Sequence, residues 1–143
     1  MSGIICAIRG GPASRTTIDK AIALAQASKQ PLHFLYVINL DFLTRTSHSR
    51  TTAVTHDMQQ MGEMILLLAQ ETAVAAGIQA TTTIRQGRVD EQIVALCQEH
   101  DADTIVLGEP LRRLGATVFT SEQLAQLSAR LRADCRASVV VEP

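Results

Sequence analysis

The sequence contains no tryptophan, and aromatic residues make up only 3% of it. Platforms for single-stranded nucleic acid need successive aromatic faces, so that class of binder is excluded. Charge of neither sign dominates: 13 Lys and Arg against 14 Asp and Glu leave a net charge of −1. No bulk attraction to nucleic acid or to an anionic membrane follows, and neither is expected as a partner. No apolar run approaches the ~20 residues that span a bilayer. A basic segment leading into a long apolar stretch is also lacking at the start, so a cytoplasmic location is expected.

Cysteine is sparse, with Cys6, Cys97 and Cys135 in neither metal-ligand spacing nor a Cys-x-x-Cys pair. They read as small apolar filler in a reducing compartment. The four histidines, His33, His48, His56 and His100, form no pair at ligand spacing on one element, so no metal centre is expected. No nucleophile elbow is present, and no Ser/His/Asp or Cys/His set can be assembled. No catalytic residue is therefore nominated, and the chain is expected to be non-enzymatic.

What is present is a regular alternation of short apolar runs and helical patterns. The 143 residues, 46% of them hydrophobic, suffice for one domain over residues 1–143. Ile4 to Ile8 is a buried strand that meets a turn at Arg9-Gly10-Gly11-Pro12. A helix with Ile18, Ala21, Ile22 and Ala25 on one face follows and ends near Ser28. Leu32 to Ile38 is the second strand. Residues 39 to 54 lose periodicity, and "TRTSHSRTT" (44–52) reads as a mobile surface loop, with residues 42 to 56 able to close over a ligand.

From about Thr55 a helix runs to Ala76, with Met58, Met61, Ile65, Leu68 and Thr72 along its apolar stripe and Gly77 as its stop. Met64 lies at the edge of that stripe. Ala80 to Ile84 is a weaker third strand. The remaining elements are a helix with Val89, Ile93, Leu96 and Cys97 on one side, a strand from Thr104 to Leu107, a helix carrying Leu124, Leu127 and Leu131, and a strand from Ser138 to Val141.

Strands alternating with helices imply right-handed crossovers and a parallel sheet covered on both faces, a doubly wound α/β fold. In such sheets ligands sit beyond the carboxyl ends of the strands, where the winding reverses. The turns facing that crevice supply Arg9, Gly10, Val37, Ile38, Leu107 and Gly108. The loop after the fourth strand adds Arg112 and Arg113, and the next helix start adds Thr120 and Ser121. Arg9, Arg112 and Arg113 either converge on one anion or stay solvated, with Arg9 paired to Glu109. Thr120 with Gln123 also fits a capping box, which needs no ligand.

Several segments in this order resemble the universal stress protein family over nearly the whole chain. "IICAIRGGPAS" looks like the family's opening strand and turn, and "LHFLYVI" like its second strand. "IRQGRVDEQIVALCQEHDADTIVLG" is similar to the third-helix and fourth-strand segment, and "CRASVVVEP" to the closing strand. The resemblance implies a five-stranded parallel sheet in the order 3-2-1-4-5. It also implies a homodimer paired through Val139 to Val141.

Family members that bind ATP or a related nucleotide carry an acidic residue after strand 1. They also carry a glycine, two residues, a second glycine, roughly nine residues and then Gly-Ser or Gly-Thr. Here Arg9 stands at the acidic position, Gly108 keeps the first glycine, Leu111 replaces the second, and Ser121 is followed by Glu122. No cofactor is therefore expected, and the reading is a dimeric stress-response or regulatory module with a degenerate or rebuilt nucleotide site. The alternative is an ATP- or AMP-binding protein with slow hydrolase activity that uses Arg112 and Arg113. An unidentified protein partner is compatible with either.

Overall fold

Five strands alternate with four helices along the chain: β1 (Ile4–Ile8), α1 (Ser14–Ser28), β2 (Leu32–Ile38), α2 (His48–Ala75), β3 (Ala80–Gln86), α3 (Val89–His100), β4 (Thr104–Gly108), α4 (Ser121–Asp134) and β5 (Ser138–Glu142). The computed structural model describes residues 3–8, 14–38, 48–108 and 121–142. All strand pairs are parallel, and the sheet order is β3-β2-β1-β4-β5, as the sequence implied.

Alternation along each central strand divides the core in two. Ile4, Cys6 and Ile8 of β1, with Phe34, Tyr36 and Val106, face α1 and α2. Ile5, Leu35, Ile105 and Leu107 face α3 and α4. A strand packed on both faces has no place for polar residues, which explains the unbroken apolar runs of β1 and β4. α1 meets the sheet through the expected Ala21, Ile22 and Ala25, with Ile18 beside them. α3 buries Ile93, Leu96 and Cys97 as expected, and Val94 as well. α4 buries Leu127 and Leu131, while the side chain of Leu124 lies outside the described residues.

α2 departs from the sequence reading in two ways. It starts at His48, so residues 48 to 56, assigned to a mobile loop, are helical. Residues 42 to 47 of that proposed loop lie outside the described residues. Periodicity gave no signal here because Thr52, Ala53 and His56 are exposed and Val54 and Thr55 only half-buried. No glycine or proline from His48 to Met61 interrupts the helix, and each added residue gains a backbone hydrogen bond.

The buried stripe of α2 is also displaced. Met61 and Leu68 are 54% and 58% exposed, and Thr72 is exposed with its hydroxyl donating to Leu68 O at 2.7 Å. Gly62, Leu66, Ala69 and Ala73 face the sheet instead, flanked by Met58 and Ile65. Small residues let the helix axis approach β2, and that closeness outweighs the larger apolar side chains on the other side. The helix ends as expected at Gly77, whose φ of 82° permits a closing pair of bonds. Gly77 N donates to Val74 O at 2.9 Å and Ile78 N to Ala73 O at 2.9 Å.

Candidate functional site

The sheet order makes the winding reverse between β1 and β4, since α1 and α2 lie on one face and α3 and α4 on the other. The carboxyl ends of β1, β2 and β4 therefore open on one crevice. Among the residues singled out from sequence, Val37, Ile38, Leu107 and Gly108 stand at this end of the sheet. Val37 and Gly108 are half-buried and reachable, whereas Ile38 and Leu107 are buried. Arg9, Gly10, Arg112, Arg113 and Thr120 lie outside the described residues, as does the capping box and the pairing of Arg9 with Glu109. Ser121 opens α4, and its side chain lies outside them too. Glu122 is exposed in the first turn of α4.

Two features of the crevice were not foreseen. Gly87 N donates to Ile38 O at 3.0 Å, which ties the turn after β3 to the end of β2. The next helix start, α3, carries its own acids, Asp90 and Glu91, in the first turn. Arg88 pairs with Asp90 at 3.2 Å across an exposed surface. Those carboxylates already complement the helix dipole, so the α3 start does not attract a further anion. The start of α4 carries one acid, Glu122, in its first turn.

A polar cluster occupies the opposite, amino end of the strands. His33 is buried within β2, its Nδ1 engaged with Thr81 Oγ1 and its Nε2 2.6 Å from Thr83 Oγ1. Its ring lies 4.5 Å from that of His100, at the end of α3. Burial first, then the nearby His100 and Arg85 charges, lower its pKa from the usual 6.5 to about 4. His33 is therefore neutral near pH 7, and the hydroxyls occupy both ring nitrogens. Arg85 is held to Glu99 at 2.7 Å. A cavity of about 140 Å³ lies between His33, His100, Thr81, Ile4 and Ala102.

This cluster joins residues 48 and 50 positions apart, which spacing along one element cannot reveal. The alternate threonines of β3 were the one available signal. Among the described residues, no group of three or more His, Cys, Asp or Glu is placed to hold a metal ion. No described helix is long and apolar enough to cross a membrane.

The sequence pattern of the universal stress protein family matches residues 1–141. None of the curated proteins compared with the chain matches it. Among solved structures, a universal stress protein family member from Burkholderia pseudomallei is 21% identical with a TM-score of 0.73, over 99% of this chain and 96% of its own. The universal stress protein UspA from Lactobacillus plantarum is 16% identical with a TM-score of 0.75, over 99% and 97%. A universal stress protein in complex with cAMP is 19% identical with a TM-score of 0.68, over 99% and 97%. At these identities the structural likeness concerns the fold.

Proposed function

Because this chain belongs to the universal stress protein family, we propose that it is a non-enzymatic, dimeric stress-response or regulatory module whose nucleotide site is degenerate or rebuilt for another ligand. The observation that carries this reading is the nucleotide motif as the sequence has it. Gly108 is in place, but Leu111, Arg9 and Glu122 stand where a phosphate cradle and a nucleoside acceptor would be needed. A leucine side chain opposes the inward turn of backbone amides that glycine allows. Arginine offers no acceptor to ribose hydroxyls or an adenine amine. Glu122 adds negative charge at the helix start.

The retained Gly108 and the cAMP held by one structural neighbour favour a second reading, an ATP- or AMP-binding protein with slow hydrolase activity. In that reading Arg112 and Arg113 take the place of the missing glycine. A charge-assisted hydrogen bond contributes about 1.5–3 kcal/mol, yet arginines cannot rebuild the backbone cradle. The expected result of calorimetric titration with ATP and magnesium is a Kd weaker than about 100 μM, or less than about 5.5 kcal/mol. A micromolar or tighter constant would overturn the degenerate-site reading. The double variant Arg112→Ala, Arg113→Ala should then abolish binding if the second reading holds. Mass spectrometry of small molecules that co-purify with the protein identifies any other ligand.

The dimer belongs to the same proposal. β5 ends the sheet order, and its Val139 and Val140 are half-buried while Val141 is 39% exposed. An apolar edge of this kind favours pairing with a second strand. Light scattering at micromolar concentration should give a dimer. Val140→Asp and Val141→Asp should each weaken it at least about tenfold, or about 1.4 kcal/mol. Val141→Asp is the cleaner variant, because Val140 also packs against the α1–α2 side of the core. A folded Val141→Asp protein that stays dimeric would remove β5 from the interface. The proposed compartment is the cytoplasm.

A further inference from the structure

Two of the three cysteines, remote in sequence, meet between α3 and the end of α4. Cys97 is buried in the core on the α3–α4 face, and Cys135 is half-buried and packed against the same cluster. Cys135 Sγ lies 3.9 Å from Val94 O, across 41 positions of sequence. In a helix the side chain of Cys97 leans back over the preceding turn, where Val94 sits. Cys97 Sγ also lies 3.9 Å from Ala102 O, and both side chains pack in the same cluster on the α3–α4 face. Both are free thiols. Cys6 is on the other face of the sheet, against Thr17, and takes no part.

We propose that Cys97 and Cys135 form a two-electron redox site, in which a hydroperoxide oxidises Cys135 and Cys97 resolves it to an intramolecular disulfide between α3 and the end of α4. Cys135 is the less buried of the two residues and so the one open to an oxidant. Its thiolate attacks one peroxide oxygen, the O–O bond breaks, and the departing hydroxide takes a proton to become water. Cys135 is then a sulfenic acid. The Cys97 sulfur attacks Cys135 Sγ, the S–O bond breaks, and a second water leaves with the Cys97 proton. Two thiols have lost two hydrogens, and the hydrogen peroxide has been reduced to two waters.

The surroundings divide the two roles. Burial first, and then the neighbouring Cys135 sulfur, push the Cys97 thiol up to about 12. Cys97 is also shut off from an oxidant in solution by its burial, so that it can engage only a sulfur packed beside it. A disulfide needs its two β-carbons at close range, and the packing of both side chains in one cluster, with Cys135 Sγ against the α3 turn that precedes Cys97, favours that approach.

The test uses the reduced full-length protein, treated with hydrogen peroxide, quenched, and alkylated in denaturant. The expected result is a monomeric chain that has lost two hydrogens and carries one alkyl group where the untreated control carries three, with a linked peptide pair containing Cys97 and Cys135. Cys6 should be fully alkylated, and dithiothreitol should reverse the change. In Cys97→Ala, Cys135 should stop at the sulfenic acid and be captured by dimedone at least about tenfold more than in the wild type. In Cys135→Ala, Cys97 should remain a thiol. Equal dimedone capture in the wild type and Cys97→Ala overturns the proposal. So does a disulfide joining two chains, or the survival of both thiols at peroxide levels that oxidise free cysteine. Should a variant not fold, the wild-type peptide map alone decides.

Discussion

Gly62→Leu should destabilise the folded state by about 3 kcal/mol, the upper part of the range for overpacking a core. α2 lies so close to β2 at this point that a Cβ added to Gly62 would stand 2.6 Å from Tyr36 Cδ2 and 2.9 Å from Cε2. The contact is with a ring that is itself buried, in a core layer shared with Phe34 and Ile38. It cannot swing into solvent as a lysine stem would. Leucine would therefore lift α2 from the sheet and loosen the packing of Leu66, Ala69 and Ala73.

Alanine at the same position separates two opposing effects. It improves helix propensity by up to about 1 kcal/mol, but it introduces the same Cβ against the ring. The net result should be a loss of about 1 kcal/mol. Combining Gly62→Ala with Tyr36→Ala removes the clash, so the double variant should be at least about 1 kcal/mol more stable than the sum of the single losses predicts. Urea denaturation midpoints, at unchanged slope, supply all these values. A Gly62→Leu protein as stable as the wild type would mean that the approach of α2 to Tyr36 is not a constraint.

Acidification should remove about 1–2 kcal/mol of stability through His33 alone. The unfolded histidine takes up a proton near 6.5, whereas folded His33 does so only near 4. Between those values the unfolded state holds the extra proton, so stability rises with pH across this window. The contribution is fully present above about 6.5, is lost as pH falls towards 4, and levels off below that. The displacement of the pKa sets a ceiling of about 3 kcal/mol. His33 is 8% exposed, but its ring borders the cavity shared with His100, and solvent screening there reduces the figure.

The groups that act on His33 come from two elements, β3 and α3. Thr81 and Thr83 of β3 hold the neutral ring, while His100 of α3 and Arg85 of β3 oppose its protonation. Glu99, paired with Arg85, tempers the second of these. His33→Asn removes the titrating group, so its stability should vary less between pH 6.5 and 4 than that of the wild type. The difference between the two curves isolates His33 from the carboxylates that titrate nearby. An NMR titration that places His33 at or above 6 would refute the account.

Much of the architecture was legible along the chain. The apolar runs of β1, β2 and β4, the buried face of α1 and the stop at Gly77 are local features, each readable from a few neighbouring residues. Strand order followed from the family's segments rather than from periodicity. The candidate crevice was only partly legible. Val37, Ile38, Leu107 and Gly108 are placed by strand ends, which sequence locates well, while the tie from Gly87 to Ile38 is not visible in either residue's surroundings.

The sequence by itself determined the five strands and the cores of the four helices, and that β1, β2 and β4 are buried on both faces, because propensity and periodicity belong to a single element. Tertiary structure alone decided which side of α2 faces the sheet, since Gly62 and its alanines matter only against Tyr36. It alone brought His33 to Thr81, Thr83 and His100, and Cys97 to Cys135. Those meetings depend on register between strands and on how closely helices approach them. Both are set by packing between elements that are distant in sequence, and no pattern within one element encodes them.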